Sequence, residues 1–331
     1  MKKSGVQRTA FVTLCFVTIL VFVGAIVRTS GAGLGCPDWP TCWGELIPPT
    51  QVEQVDREKL EKSLPRFKRK AKALGRDPDT ITVDSLMEEF NGTHTYIEFV
   101  NRLFALPVLI SSFILMVKGM RRKTLPGVIR KSAVWSFVLV IVNAILGAAV
   151  VFSGLKTGFI TAHMIAAFIL TFLLVYVVWA GVPEGQKRRV IPGAGKKAVG
   201  LLLALVLIEG LLGSQIREMT DVLQKTYGVE SRPDWIGQID DSWLFLVHRS
   251  FSWAIVAAAV WVCWKVGFRG AVPKAVFTIV IAFMLMGLVF THVEISAVVQ
   301  VLHVGLASIL VSLSYYWWLA ADTADTGGDR A

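Results

Sequence analysis

The sequence has few charged residues and few cysteines for its length. Of 331 residues, 18% are charged and 54% are hydrophobic, whereas a soluble domain averages about 25% charged residues. This shortage of charge excludes an ordinary cytosolic enzyme, and four cysteines exclude a disulfide scaffold. No phosphate-binding glycine loop stands in a strand-turn-helix context. The charges that are present sum to +10 and form short clusters between long uncharged runs, which is typical of a polytopic membrane protein.

Eight apolar runs are long enough to cross a bilayer, which takes about 20 helical residues. We therefore predict an all-α polytopic membrane protein with eight transmembrane helices. The predicted spans are roughly Thr9–Val27, Tyr96–Val117, Ala133–Phe152, Phe159–Val182, Ala198–Ile216, Trp243–Val266, Ala275–His292 and Ala297–Ala320. In the long loop 29–95, apolar residues recur at helical spacing from Leu60 to Leu74 and indicate an amphipathic helix. It could lie on the membrane surface, but we favour a position over the mouth of the bundle.

The clusters of lysine and arginine predict the orientation, because these residues are retained in cytoplasmic loops. The N-terminus and the connections 121–131, 187–197 and 265–274 carry them, and all fall on one side of an eight-span protein. Both termini are therefore predicted to be cytoplasmic, and the loop 29–95 to lie outside. We expect an integral protein of a bacterial cytoplasmic membrane whose positive loops face anionic lipid, with no nucleic-acid partner.

The two halves of the chain repeat one another in four places, taken in the same order. Three repeats are the pairs Gly24–Arg28 with Gly213–Arg217, Pro37–Trp39 with Pro233–Trp235, and Val100–Phe104 with Val247–Phe251. In the fourth, Gly147 and Gly287 each stand 16 residues before a histidine. We predict two parallel four-helix bundles, residues 1–182 (the first half) and 183–331 (the second half), related by a pseudo-two-fold axis along the membrane normal. Equivalent residues then lie at equal depth.

Three of the five histidines lie inside predicted spans, where a polar ring is costly and marks a functional candidate. His248 and His303 both stand near the outer ends of their spans, at similar depth. Two such imidazoles suit a six-coordinate haem iron, with a packing histidine or a proton relay as the alternatives. His163 repeats His303, but Asn101 takes the place of His248. The two halves are therefore chemically unequal.

Two further groups near the outer face could carry chemistry. Glu98 can pair with Arg102 at i+4, so its carboxylate is either half of a salt bridge or a proton acceptor at a substrate site. Cys36 and Cys42 lie just beyond the first span on the oxidising side, where they could form a static staple or a redox-active pair. A zinc site is less favoured, since two further ligands are not evident nearby.

With these motifs assembled, the chain resembles the haem A synthase family along nearly its whole length. The motifs that carry the resemblance are Gly24–Cys42, Glu98–Arg102, Gly213–Glu218, His248–Phe251 and the two other intramembrane histidines. The resemblance implies an eight-helix membrane oxidoreductase that oxidises the C8 methyl group of haem O to the formyl group of haem A, for cytochrome oxidase assembly.

The resemblance also assigns residues. It implies a haem b bound by His248 and His303 in the second half, and a substrate haem O in the first half at His163 and the position of Asn101. It implicates Glu98 in catalysis, beside Asn101 and Arg102 as further candidates. The expected partners are a haem O synthase, an electron carrier that the sequence does not identify, and the lipid bilayer, while a homo-oligomer is left open.

The resemblance further associates Cys36 and Cys42 with a disulfide. The chain departs from the family at Asn101, where a histidine is usual. We expect His163 to be the only protein ligand of the first-half haem and Asn101 to hydrogen-bond the bound species or a water. The main alternative is a membrane haem b electron-transfer protein without C8 oxidation, and a transporter with parallel repeats comes third.

Overall fold

The computed structural model describes residues 5–73, 77–153, 157–180, 189–191, 193–227, 232–266, 270–292 and 296–323. In chain order its helices and strands are α1 (Gly5–Thr29), α2 (Arg57–Ala73), α3 (Val83–Glu88), α4 (Gly92–Arg121), α5 (Gly127–Phe152), α6 (Thr157–Ala180), β1 (Arg189–Ile191), α7 (Gly193–Tyr227), α8 (Arg232–Asp240), α9 (Trp243–Val266), α10 (Ala271–His292), α11 (Ala297–Ala320) and β2 (Ala321–Thr323). Eight of these helices, all except α2, α3 and α8, are long and apolar enough to cross a membrane. The eight predicted spans are thereby confirmed.

The spanning helices leave much of their apolar surface outside the protein core. Ile145 and Leu285 are 62% and 59% exposed in the middle of their helices, as residues facing lipid chains would be. Trp243 and Trp264, at the two ends of α9, are 73% and 75% exposed. Tryptophan is enriched at the two interfaces of a bilayer. Together with the length of the helices, this pattern identifies an integral membrane protein.

The eight helices pack as two rings of four. In the first half, α1 contacts α4, α4 contacts α5, α5 contacts α6, and α6 returns to α1. In the second half, α7, α9, α10 and α11 make the same succession of contacts. Between the rings, α11 packs along α1 and α6, and α6 also touches α7. Two related four-helix bundles would pair in this way, although the two-fold axis itself stays a prediction.

A close contact between α1 and α11 fixes where the two rings meet. Gly305 of α11 is buried, and a Cβ atom there would lie 2.1 Å from the ring of Phe22 on α1. Only glycine leaves room for this ring. Since Gly305 comes two residues after His303, the contact also sets the position of that histidine relative to the first half.

Residues 30–73 and 77–91, which we together call the cap, fold over one end of the bundle. Its core is formed by buried side chains from the cysteine loop and the short helices, among them Cys36, Trp43, Leu60 and Phe67. The amphipathic helix predicted from Leu60 onward is present as α2, so that prediction is confirmed up to Ala73. Leu74 falls outside the described residues.

Contacts of α2 place it over the bundle mouth. The guanidinium of Arg66 lies 4.8 Å from the centroid of the Phe152 ring at the end of α5, and its Nη2 donates to the carbonyl of Trp39 at 3.1 Å. On the solvent side, Lys59 Nζ donates to Glu45 Oε1 at 2.5 Å. This hydrogen bond raises the pKa of Lys59 above its usual value. The predicted cover helix is therefore anchored to both the cap and the bundle.

Several short elements were not predicted from the sequence. The helix α3 is capped by Thr82, whose hydroxyl accepts from the Ser85 N–H at 3.0 Å. Within the described residues the only paired strands are β1 and β2, which are parallel and three residues long. Because the two strands are distant in sequence, no local sequence pattern predicts their pairing. They leave the architecture helical in all of its spanning parts.

Candidate functional site

The carboxylate of Glu98 is held at the point where α4 enters the bundle. Its residue is only 3% exposed. Oε1 accepts from Arg102 Nη2 at 2.6 Å, and Oε2 accepts from the backbone N–H of Cys36 at 2.8 Å. Charge-assisted hydrogen bonds of this kind are the strong ones, and they offset the cost of burying the carboxylate. The predicted pair with Arg102 is therefore present, and a second contact, from the cap, fixes the same carboxylate.

The guanidinium of Arg102 connects this carboxylate to the cysteine loop. Its Nη1 donates to the backbone carbonyls of Asp38 and Thr41, at 2.9 Å and 2.8 Å. One planar cation thus joins Glu98 to two points of the loop. The ion pair is therefore a local salt bridge that also holds the loop against α4.

The cysteine loop is closed by a disulfide and folded around one aspartate. Cys36 and Cys42 are bonded to each other and are 0% and 1% exposed. Asp38 accepts from the backbone N–H groups of Trp43 at 2.7 Å and Gly44 at 3.1 Å. These bonds within the loop add to the contacts that Arg102 of α4 makes with it. Whether the disulfide also exchanges electrons stays a prediction.

The loop lies directly on the first turn of α4. The carbonyl of Gly35 accepts from the Thr95 hydroxyl at 2.9 Å and from Trp43 Nε1 at 2.9 Å. A Cβ atom at Gly35 would lie 2.4 Å from the backbone carbonyl carbon and oxygen of His94. Glycine is required here because two backbones meet, and this close approach brings the Cys36 N–H to Glu98.

In the first half, polar side chains on α4 and α6 stand opposite glycines. The Oδ1 atom of Asn101 lies 3.9 Å from where a Cβ of Gly24 would be, and the Cε1 atom of His163 lies 3.7 Å from the corresponding point of Gly147. Asn101 Oδ1 and His163 Nδ1 are buried without a hydrogen-bond partner in the described part of the chain. Buried polar atoms normally have partners, so the two atoms fit a site that a ligand completes.

In the second half, two imidazoles pack against other residues of the ring of helices. His248 packs against Gly213, where a Cβ atom would lie 3.3 Å from Cε1 of the ring. His303 packs edge-on against Phe283, with ring centroids 4.6 Å apart. Nδ1 of each imidazole is buried without a hydrogen-bond partner among the described residues.

The same pairing of side chains occurs in both halves, as the repeat predicts. Gly24 faces Asn101 in the first half, and the equivalent Gly213 faces His248 in the second. The substitution of amide for imidazole is therefore an exchange at one structural position. It is not a shift of the helix.

Sequence reasoning missed two polar residues beside these histidines. Asn143 lies one turn before Gly147, at the position of Phe283 in the repeat, and its Oδ1 is buried without a partner in the described chain. Glu209 lies in α7, and its Oε1 is 3.3 Å from Nδ1 of His248. The available signal was the presence of an amide and a carboxylate inside predicted spans, where such groups are rare.

A polar network joins the two halves near the cap. Arg217 Nη2 donates to the backbone carbonyl of Arg28 at 2.6 Å, and Nη1 donates to Gln300 Oε1 at 2.6 Å. Gln215 Nε2 donates to the hydroxyl of Thr161 at 2.8 Å. Thr161 is two residues from His163, and Gln300 is three residues from His303. The network therefore connects α6 and α11, the helices that carry His163 and His303.

Comparison with known proteins shows the family of the chain. The COX15-CtaA family model, described as cytochrome oxidase assembly protein, matches residues 7–315. The chain belongs to this family. A heme A synthase of Sphingopyxis alaskensis is 24% identical over 95% of the chain and 91% of its own length. A heme A synthase of Parvibaculum lavamentivorans is 22% identical over 81% and 79%. A heme A synthase of Shewanella oneidensis is 48% identical over 44 residues, 13% of each chain.

The donor atoms of this family member suit a haem better than a bare metal ion. The described residues contain no group of three or more His, Cys, Asp and Glu side chains arranged to hold a metal, so the zinc alternative gains no support. A haem iron needs only one or two protein ligands, because the porphyrin supplies four. His163 in the first half, and His248 with His303 in the second, match that number of ligands. The side chains of His292 and Glu294, at the outer end of the seventh predicted span, lie outside the described residues.

Proposed function

We propose that this protein is a haem A synthase, a membrane oxidoreductase that converts haem O to haem A for cytochrome oxidase assembly. The observation that carries the proposal is the family match along residues 7–315, together with a polar site beneath the cap. The relatives that match most of the chain bear the same function in their names. Eight apolar helices agree with an enzyme whose substrate is a membrane-soluble haem.

The second half is proposed to bind haem b through His248 and His303. The position of the two histidines on α9 and α11, which lie across one ring of helices from each other, supports this assignment. When bound, haem b would supply one-electron redox chemistry. The protein contributes the ligands, an apolar surround that includes Phe283, and exclusion of water by the packed ring.

The first half is proposed to hold haem O, with His163 as its only protein ligand. Asn101 is proposed to hydrogen-bond the bound species or a water through its side-chain amide, since its Oδ1 is buried without a partner among the described residues. Glu98, one turn from Asn101, is proposed as the proton acceptor. Oxidation of a methyl group to an aldehyde releases protons, and a fixed carboxylate can receive them.

Arg102 and the Cys36 N–H would hold Glu98 in place during this reaction. Each binds a different carboxylate oxygen, at 2.6 Å and 2.8 Å. The carboxylate therefore cannot rotate without breaking one contact. Because the Cys36 contact comes from a disulfide loop, the cap and the site are mechanically connected.

The setting of the enzyme follows the charge pattern. We propose a bacterial cytoplasmic membrane, cytoplasmic termini, and haem sites toward the outer face, where the cap lies. A haem O synthase would deliver the substrate, and an external electron carrier would exchange electrons with haem b. A membrane haem b electron-transfer protein is the second candidate, favoured by one observation, the absence of a histidine at position 101.

Co-expression tests the proposal. The protein is produced with a haem O synthase in a host that lacks haem A, and the extracted haems are separated by chromatography. Haem A in the wild type and a loss of about 100-fold in Glu98→Gln are expected, since proton transfer contributes about that much. The matched control is Glu88→Gln, a carboxylate exposed on α3, which should leave haem A formation unchanged. Haem b alone would favour the electron carrier, and no haem would favour the transporter.

A further inference from the structure

The carboxylate of Glu209 lies within a membrane-spanning helix and touches His248. Glu209 Oε1 is 3.3 Å from Nδ1 of the imidazole, and the two side chains are only 15% and 18% exposed. A carboxylate inside a bilayer is costly, and where it occurs it is paired or functional. The proposed proton chemistry at Glu98 does not use it, since Glu209 belongs to the other ring of helices.

A hydroxyl group orients this carboxylate. Ser252 Oγ donates to Glu209 Oε1 at 2.5 Å and also contacts the backbone carbonyl of His248 at 3.1 Å. Ser252 stands one turn after His248 on α9. The imidazole, the carboxylate and the hydroxyl therefore form one cluster that connects α7 to α9.

The cluster has unused hydrogen-bonding capacity that points to one further interaction. Nδ1 of His248 and Oε2 of Glu209 are buried without hydrogen-bond partners among the described residues. At 3.3 Å, Nδ1 is in contact with the carboxylate, but its N–H does not yet lie on a hydrogen-bond line. A hydrogen bond from the Nδ1–H to the carboxylate would give this nitrogen the partner that buried polar atoms normally have.

The repeat within the chain provides an internal comparison. The positions of Glu209, Ser252 and His248 correspond in the first half to Leu20, Ala105 and Asn101. All three polar groups of the cluster are present together in the second half and absent together in the first. A carboxylate and a hydroxyl that served only to join two helices would be equally useful in either half. Their occurrence with the imidazole indicates that they serve the imidazole.

We propose that Glu209 is a positioning residue that accepts the Nδ1–H of His248, so that Nε2 is the atom presented to the haem b iron. This inference rests on the proposed function, because it requires His248 to be an axial ligand. Histidines that bind metals usually donate their other N–H to a carboxylate or a carbonyl, which fixes the ring and makes it a stronger ligand. A stronger ligand favours ferric over ferrous iron, so Glu209 lowers the midpoint potential of haem b.

The test uses the purified full-length protein with its haem and compares three variants. Glu209→Gln keeps a hydrogen-bond acceptor but removes the stronger acceptor, the carboxylate. If the site's preference for ferric over ferrous haem falls tenfold as a result, the midpoint potential of haem b should rise by about 59 mV. Glu209→Leu, which restores the first-half residue, should weaken haem retention about 10-fold to 100-fold. Ser252→Ala should shift the potential in the same direction as Glu209→Gln. Glu218→Gln is the control, a buried carboxylate on the same helix that instead contacts Thr161 at 3.3 Å.

The readouts are the midpoint potential of haem b, the g-values of its ferric electron paramagnetic resonance signal, and haem retained on dilution. A rise in potential and altered g-values in Glu209→Gln, with Glu218→Gln unchanged, support the proposal. Unchanged potential and g-values in Glu209→Gln and Ser252→Ala overturn it, even if Glu209→Leu fails to accumulate. Failure of the proposed function gives a different result: a b-type spectrum that survives in His248→Ala would mean that His248 is not a ligand.

Discussion

Among single residues, Glu98 joins parts of the chain that are far apart in sequence. Its bond to Arg102 follows from i,i+4 spacing and could be predicted from the sequence. Its bond to the N–H of Cys36 spans 62 residues and could not. Local spacing predicts contacts along one helix, whereas a contact with the cap depends on how the loop folds back. The same reasoning applies to Glu209, whose partner His248 lies on another helix.

Replacing Arg102 by lysine tests whether this side chain holds the cysteine loop against α4. A lysine has one ammonium group and cannot reproduce the planar fork that binds Glu98 and two loop carbonyls. Each lost hydrogen bond to a carbonyl costs about 1 kcal/mol, so Arg102→Lys should lower the free energy of unfolding by about 2 kcal/mol. The temperature of thermal inactivation in detergent and the haem A yield should both fall. Arg57→Lys, whose exposed partner is Asp84, is the matched control, and equal losses in both variants would contradict the prediction.

Adding one methyl group to Gly35 tests the contact between the loop and α4. The new Cβ atom would lie 2.4 Å from the backbone of His94, and a backbone cannot move aside as a flexible side chain can. Gly35→Ala should therefore destabilise the protein by about 2–3 kcal/mol, measured as a lower temperature of thermal unfolding. Gly127→Ala at the start of α5 is the control, because no atom lies within 4 Å of its Cβ position. Wild-type stability in Gly35→Ala would show that the loop does not rest on α4.

Among helices, those that cross the membrane could be predicted, whereas the short ones could not. The spans follow from apolar length, and α2 follows from the periodicity that buries Leu60 and Phe67. By contrast, α3 and α8 are only six and nine residues long, too short to show a period clearly. The contact between α1 and α11 depends on Gly305, which in the sequence resembles any other small residue of a span.

The meeting of Gly305 with Phe22 predicts a compensating pair of substitutions. Gly305→Ala would drive a methyl group into the Phe22 ring and should cost about 1–3 kcal/mol of stability. Phe22→Ala removes the ring, so the double variant should be more stable than the sum of the single losses predicts. Thermal unfolding of all four proteins measures the coupling. Additive losses would mean that the two residues do not touch in the membrane.

The exchange of Asn101 for histidine tests the equivalence of the α4 and α9 positions. Gly24 leaves the space beside Asn101 that Gly213 leaves beside His248. Asn101→His should therefore add a second axial ligand to the first-half haem and produce a second low-spin ferric signal. Asn101→Gln, which keeps an amide, should not produce it. Absence of the new signal, in protein that carries both haems, would refute the proposed equivalence.

For the molecule as a whole, the number of spans determines which ends share a side. The spanning helices among the described residues number eight, which is even. We therefore predict that both termini lie on one side, and the loops rich in lysine and arginine predict that side to be cytoplasmic. A reporter that is active only in the cytoplasm should be active when it is fused to either terminus. A reporter inserted into the exposed Leu46–Ile47 turn of the cap should give the opposite result. An active cytoplasmic reporter in the cap would reverse the proposed orientation.

The sequence alone determined the features that depend on local chemistry. Apolar length determined the spans, periodicity the cover helix, and i,i+4 spacing the Glu98–Arg102 pair. The internal repeat indicated which residues are equivalent. These features could be predicted because each depends on residues within a few turns of one another, or on a pattern that is copied along the chain.

Only the tertiary structure decided which helices touch and what lies beside each polar group. It brought the disulfide loop onto Glu98, the Phe22 ring onto Gly305, and Glu209 to the imidazole of His248. Such contacts join residues separated by many positions, and every spanning helix offers several apolar faces of similar composition. In a membrane, lipid solvates those faces almost as well as another helix does. Close packing at a few glycines and buried hydrogen bonds therefore select the arrangement, and these are resolved only when the whole chain is folded.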